Sequence, residues 1–247
     1  MNALVRTEIL KLRTARSTGG FLLAGLALGA LLGAATSTTA GEDAAAALGS
    51  ADNLANVLGV SALPGVIMLI LGVLVTAGEY QHHTITQTFL TTPVRGRVMA
   101  AKLTALALIG LPVAGAVMGA ALVAALPRLL ADADRIDLLN STVAETVAGN
   151  LLAAVLLGVL GAGLGALLRN QLATVILVVG WALIGEGILS TVAGQDAVRW
   201  LPGGAAQSVI AGGDGELALV PAVLALAAYA AVMAVAASRL TLRRDIA

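Results

Sequence analysis

The chain of 247 residues is 59% apolar and 11% charged, its mean hydropathy is +0.96, and its fourteen basic and fourteen acidic residues cancel to a formal charge of zero. Such a composition excludes an ordinary water-soluble domain and points to an integral membrane protein, with lipid rather than nucleic acid as its surroundings. No cysteine is present, which removes disulfides and thiolate metal sites from consideration.

In chain order, residues 1–17 come first, with a helical pattern in which Met1, Leu4, Val5, Ile9 and Leu12 share one arc of about 140° at about 100° per residue. Arg6, Lys11, Arg13 and Thr14 occupy the other side. Glu8 and Arg16 fall in or beside the apolar arc, and Leu10 projects away from it. A basic amphipathic helix ahead of a span belongs in the membrane interface, where it serves as a topology anchor or as a docking surface for a protein partner.

A membrane-spanning helix needs about 20 mostly apolar residues. Residues 19–38, 57–78, 103–126, 147–168, 172–192 and 217–237 each satisfy that requirement. Backbone groups in lipid have no water to bond, so runs this long must be helical. The expected fold class is all-α and polytopic: six transmembrane helices forming a single domain. The first run is too long for a signal-peptide core and is followed by five more, so it reads as an uncleaved span. Gly25, Gly29 and Gly33 recur every fourth residue along it, and Gly115 with Gly119 and Gly161 with Gly165 repeat that spacing. Small residues at this spacing let helices approach closely, either within the chain or at a dimer seam or translocation path.

Between the second and third spans lies GEYQHHTITQTFLTTPVRGRVMAAKL, from Gly78 to Leu103. Residues 79–102 form a loop longer than a connecting turn requires. Ile85 and Phe89 are four apart with Thr84, Gln87, Thr88 and Thr91 around them, a pattern for a short helix lying along the membrane. Thr92-Pro93 then supplies an N-cap and a first-turn proline, restarting a helix at about Val94. Glu79 stands at the mouth of this loop, within reach of Arg95 or Arg97. Adjacent His82 and His83 diverge by about 100° on a helix and have no third histidine to complete a metal site, so they read as solvated or partner-facing.

Glu186 is the one acid inside a span, roughly 21 Å from Leu172 at 1.5 Å per residue. An ionisable group there lines a cavity or is paired. A place in the translocation path or the dimer seam is expected, against a buried structural hydrogen bond or an interfacial carboxylate. Gly185 and Gly187 beside it leave room for a helix or a substrate. Residues 193–216 are too interrupted to cross the membrane and suit a half-helix dipping in before the sixth span, with Trp200 at the interface. With aromatics at 2% of the chain, the path is expected to be walled by Ala, Val, Leu and Gly, as suits a lipid-like or amphipathic substrate.

Cationic residues resist translocation and mark the cytoplasmic side. Arg6, Lys11, Arg13, Arg16, Arg95, Arg97, Lys102, Arg169, Arg239, Arg243 and Arg244 all fall on one side of the six spans. The other side holds Arg128, Arg135 and Arg199 against ten acids. Both termini are therefore expected in the cytoplasm, in a bacterial cytoplasmic membrane.

The Gly78–Leu103 stretch resembles the first cytoplasmic loop of permease subunits of type-two ABC exporters. In that family a Gly-Glu segment ends the second span, a Thr-Ile-containing helix follows, and a Pro-x-x-Arg step enters the third span. Gly78, Glu79, Thr84, Ile85, Pro93, Arg95, Arg97 and Lys102 occupy those positions here. Glu8, Lys11, Leu12 and Arg13 resemble the family's opening helix, and Leu168-Arg169-Asn170-Gln171 and Trp200-Leu201-Pro202-Gly203 also match, so the likeness runs over nearly the whole chain. The resemblance implies a non-catalytic subunit moved by a separate cytoplasmic ABC ATPase in two copies. It implies that a coupling helix built from Tyr80, Thr84, Ile85 and Phe89 sits in a groove of that ATPase. It also implies pairing with a second permease copy or a related permease, outward transport, and an exit capped near Trp200 and Pro202. No G-x-x-x-x-G-K-[ST] loop occurs in the chain, so no cofactor is expected on it, with ATP and Mg held by the ATPase. Rival readings are a gradient-driven transporter or channel subunit, an intramembrane enzyme, and a non-transporting ABC-associated sensing or resistance protein. The first would call for intramembrane ion pairs or repeated halves, the second for hydroxyls with a nearby base; the sequence displays neither.

Overall fold

Proline, glycine and asparagine set several of the helix boundaries. The computed structural model describes residues 2–38, 51–59, 62–81, 94–132 and 140–243, and among these every regular element is helical. Six helices are long and apolar enough to cross a membrane, so the chain is an all-α, multi-pass membrane protein. The amino-terminal helix, Asn2–Thr14, runs almost directly into the first span, Arg16–Thr38. Leu10 stands exposed while Leu12 is buried against the bundle, where the helix packs on the third span.

The second span departs from the expected 57–78. A short helix, Ala51–Gly59, is separated from the span proper, Leu63–Gln81. Ala62 between them has φ 55°, in the left-handed region that an L side chain adopts at a cost. Pro64 explains the interruption: it has no amide hydrogen and its ring clashes with the carbonyl four residues back, so it is tolerated only in a first turn. The remaining 19 residues span about 28 Å, enough for the hydrocarbon core.

The third span is longer than expected. Arg95–Asp132 is one helix of 38 residues, about 57 Å at 1.5 Å per residue, so it projects past the hydrocarbon. Asn140 caps the fourth span, Ser141–Leu168, by accepting from the Thr142 amide at 3.0 Å. The next turn is two residues long. Arg169 closes the fourth helix in the left-handed conformation, and the Asn170 side chain caps the fifth by accepting from the Ala173 amide at 3.0 Å. The fifth span, Gln171–Ala193, contains a π-helical turn at Trp181–Gly185. A helix at Pro202–Ile210 then packs on the fourth and sixth spans with Ala205, Ala206, Ser208, Val209 and Ile210 buried. Gly212 and Gly213, at φ 66° and 95°, turn the chain back toward the sixth span, Leu219–Arg243, in a conformation suited to residues without a Cβ.

The tightest contact joins the second and fourth spans. A Cβ on Gly161 would run into the Leu69 carbonyl, and one on Gly72 into the Gly158 carbonyl, while one on Gly165 would lie 3.0 Å from the Val73 carbonyl. Backbone thus rests on backbone over about 12 Å of the second span, from Leu69 to Ala77. The Gly25, Gly29 and Gly33 ridge packs within the chain, one of the alternatives the sequence left open. All three are buried: Gly25 faces Ile67, and Gly29 and Gly33 face the carbonyls of Val117 and Ala121 on the third span. Gly115 and Gly119 have no neighbour on their open side among the described residues. Gly161→Ala should therefore force the second and fourth spans apart and destabilise the bundle by roughly 3 kcal/mol. Gly115→Ala, on the open face of the third span, should be neutral or stabilising by up to about 1 kcal/mol. Unfolding of the two variants in mixed micelles compares them directly.

Candidate functional site

Glu8 falls on the apolar arc of its helix and is buried, so it requires a partner. It has two. Its Oε2 lies 2.6 Å from Lys102 Nζ and its Oε1 2.7 Å from Lys11 Nζ. Glu79 Oε1, at the end of the second span, closes the arrangement at 2.9 Å from Lys102 and 3.2 Å from Lys11. Two carboxylates and two ammonium groups from three helices thus form a neutral alternating cluster. Lys102 is only 1% exposed and Glu8 5%. Burial opposes ionisation of Glu8, but Lys102 and Lys11 outweigh it and hold the carboxyl below its ordinary 4.5. Burial likewise works against the Lys11 charge, and its contacts with Glu8 and Glu79 outweigh that and raise it above 10.5.

The next two residues are anchored too. The Arg169 guanidinium sits 4.9 Å from the centre of the Tyr80 ring, a cation–π contact that helps hold Arg169 in its left-handed conformation. The Gln81 side chain accepts a hydrogen bond from the Gln171 amide at 3.2 Å. Three consecutive residues, Glu79, Tyr80 and Gln81, therefore reach the amino-terminal helix, the third span, the fourth–fifth turn and the start of the fifth span. Of the other residues assigned to coupling, Arg97 is exposed on the first turn of the third span. Thr84, Ile85, Phe89 and Pro93, with His82 and His83, lie outside the described residues, as does the side chain of Arg95. The partners described for Glu79 are Lys11 and Lys102.

On the opposite side of the bundle the structure brings Glu186 and Pro202 together. Pro202 opens its helix without an amide hydrogen, and Leu201 offers no side-chain cap. The first free amide, that of Gly203, donates to Glu186 Oε1 at 2.8 Å. Trp181 Nε1 donates to the same oxygen at 3.3 Å. A carboxylate from the fifth span thus caps a helix from another segment, where the helix dipole favours an anion. Any Cβ at position 203 would collide with that carboxylate.

The Trp181–Glu186 contact depends on the π-turn. Five residues apart on an α-helix, two side chains diverge by about 140°, whereas the extra residue of a π-turn brings them toward one face. Gly185 takes part by leaving room for the indole, which would stand 2.7 Å from a Cβ there. The space beside Glu186 that sequence assigned to another helix or a substrate is filled by Trp181 at Gly185, and open only at Gly187.

These groups border a cavity of about 770 Å³ between the second, fourth, fifth and sixth spans, covered by the 202–210 helix. Its walls are mostly apolar, with Leu69, Leu157, Leu160 and Val178 among them, but Trp181 and Tyr229 line it too. Two of the few aromatic residues thus converge on one cavity. Pro202 lines it, whereas Trp200 is exposed and does not. Sequence reasoning also passed over Lys102 as a buried partner and Asn150, whose amide lies 3.4 Å from the Leu58 carbonyl. Each is a lone polar residue in an apolar run, which is the signal that marks them. Known protein families provide no match to this chain, and no curated protein matches it.

The ion cluster has a pH signature. Glu8 contributes stability that is full above 4.5 and lost as pH falls through its lowered value; Lys11 contributes stability that is full below 10.5 and lost as pH rises through its raised value. An environment-sensitive fluorophore on Ile9→Cys, then the chain's sole thiol, should stay constant between those limits and change below 4.5. Lys102→Met should undock the helix at every pH and cost about 3–5 kcal/mol, because two carboxylates then remain buried against one ammonium. At the other site, Gly203→Ala should displace Glu186, cost about 1–2 kcal/mol through the lost cap, and red-shift Trp181 emission in a Trp200→Phe background.

Proposed function

We propose that this chain is the membrane-spanning permease subunit of an ABC exporter. In this reading its basic side faces the bacterial cytoplasm and both termini lie there. Two permease copies, or one copy and a related permease, combine with two copies of a separate ATPase that supplies ATP and Mg. ATP-driven closure of the ATPase pair reaches the spans through the loop after Gln81, and an amphipathic substrate leaves on the opposite side.

The observation that carries the reading is the anchoring of Glu79, Tyr80 and Gln81 to four different elements immediately before the segment that resembles a coupling helix. A displacement applied to residues 82–93 would be transmitted at once to the amino-terminal helix and to the second, third and fifth spans. The second span also lines the cavity through Val66 and Leu69, about 15 Å from Glu79 along the helix. One rigid element therefore joins the input end to the cavity.

Co-purification with candidate ABC ATPases, followed by ATPase measurement in lipid, tests the assignment. A stable complex is expected, with stimulated turnover reduced at least tenfold by Thr84, Ile85 and Phe89 changed together to Ala. Absence of any ATPase association would exclude the permease reading. A complex whose stimulated turnover survives the triple change would exclude the coupling role of that segment.

A further inference from the structure

The cavity beside Glu186 has a chemical bias that the permease reading does not require. Its volume of about 770 Å³ falls in the range of sites for drug-sized ligands. Glu186 and Glu216 are the charged residues on its walls, and neither Lys nor Arg lines it among the described residues. Glu186 Oε1 is occupied by the Gly203 and Trp181 N–H groups, while Oε2 makes no hydrogen bond among the described residues. Two N–H donors and a helix amino terminus fix the carboxylate in place without neutralising it. Trp181 and Tyr229, with their electron-rich ring faces, border the same space. A fixed anion, two aromatic faces and an otherwise aliphatic wall form the combination that attracts an apolar body bearing one positive charge.

We propose that this cavity binds lipophilic monocations, with Glu186 Oε2 as the counter-charge, Trp181 and Tyr229 against the cationic centre, and the wall of Leu69, Leu157 and Leu160 against the apolar body. An apolar anion of the same shape is rejected, because it would bring its charge against Glu186 with no compensating cation on the wall. Glu216, exposed at the mouth, adds to the cationic preference of the approach. As a statement about the transported substrate this rests on the permease reading above, but binding belongs to the chain alone.

The test uses tetraphenylphosphonium and its near-isosteric anion tetraphenylborate, added to the purified Trp200→Phe protein in neutral maltoside micelles. Trp181 is then the one tryptophan, and its emission reports directly on the cavity. Saturable binding of tetraphenylphosphonium is expected, at least tenfold tighter than tetraphenylborate after subtraction of empty-micelle partitioning. Glu186→Gln, which keeps an acceptor for the Gly203 amide, should weaken the cation at least tenfold and remove the preference between the two ions. Ala182→Phe, at an exposed wall position, should weaken both ions by filling the space. Equal affinity for the two ions, tighter binding of the anion, or a cation affinity unchanged by Glu186→Gln would overturn the proposal. So would a Phe at position 182 that leaves the cation unaffected. Because no ATPase enters the measurement, its failure leaves the permease assignment standing, and failure to find an ATPase leaves the cation site standing.

Discussion

Backbone contact between the second and fourth spans is the constraint on which the rest of the structure depends. In lipid no hydrophobic force drives one apolar helix toward another, so association rests on close packing and the absence of side chains where carbonyls meet. Gly72, Gly161 and Gly165 provide that absence, placing the two axes in a register that larger residues could not share. Leu69, Leu157 and Leu160 then fall on one side of the seam and become cavity wall. Glu79, Tyr80 and Gln81 emerge at its end, already aimed at the neighbours they engage. A helix pair held by backbone contact has few alternative registers, and such a pair transmits displacement rather than absorbing it.

The ion cluster solves a different problem. Four charges in a buried place are costly, and pairing them well recovers roughly what an apolar contact would provide. What the pairing adds is uniqueness: an amphipathic helix held only by its apolar arc could rotate or slide in the interface, whereas Glu8 meets Lys102 in a single position. The Glu186 carboxylate does the same at the other end, tying the 202–210 helix to the fifth span through one oxygen.

Much of this architecture was legible in the sequence, for reasons that can be stated residue by residue. Six spans follow from apolar runs whose length is set by the bilayer, and the tight turn at Arg169 from a break only three residues long between the fourth and fifth runs. A restart of the third helix at about Val94 was expected, and the structure begins that helix at Arg95, with Thr92 and Pro93 outside the described residues. Glu186 was recognised as a site because a lone acid in a span must have a reason. Features set by tertiary contact were not legible. Pro64 signals the broken second span, yet hydropathy runs smoothly across it. The π-turn has no composition of its own, and it brings Trp181 to Glu186. A count of aromatics cannot reveal that Trp181 and Tyr229, 48 positions apart, share one cavity. Glu8 looked like a flaw in an amphipathic pattern because its buried partner, Lys102, lies on another helix.

That pairing also imposes an order on assembly. Glu8 and Lys102 are separated by 94 positions, so the carboxylate emerges during synthesis long before the ammonium that will neutralise it. Until then Glu8 has only Lys11 on its own helix, with water and headgroups, to satisfy it, and the amino-terminal helix remains at the membrane surface. Arrival of the third span supplies the missing charge and converts a surface helix into part of the bundle. The docked helix thereby records that the first three spans have met in their native arrangement.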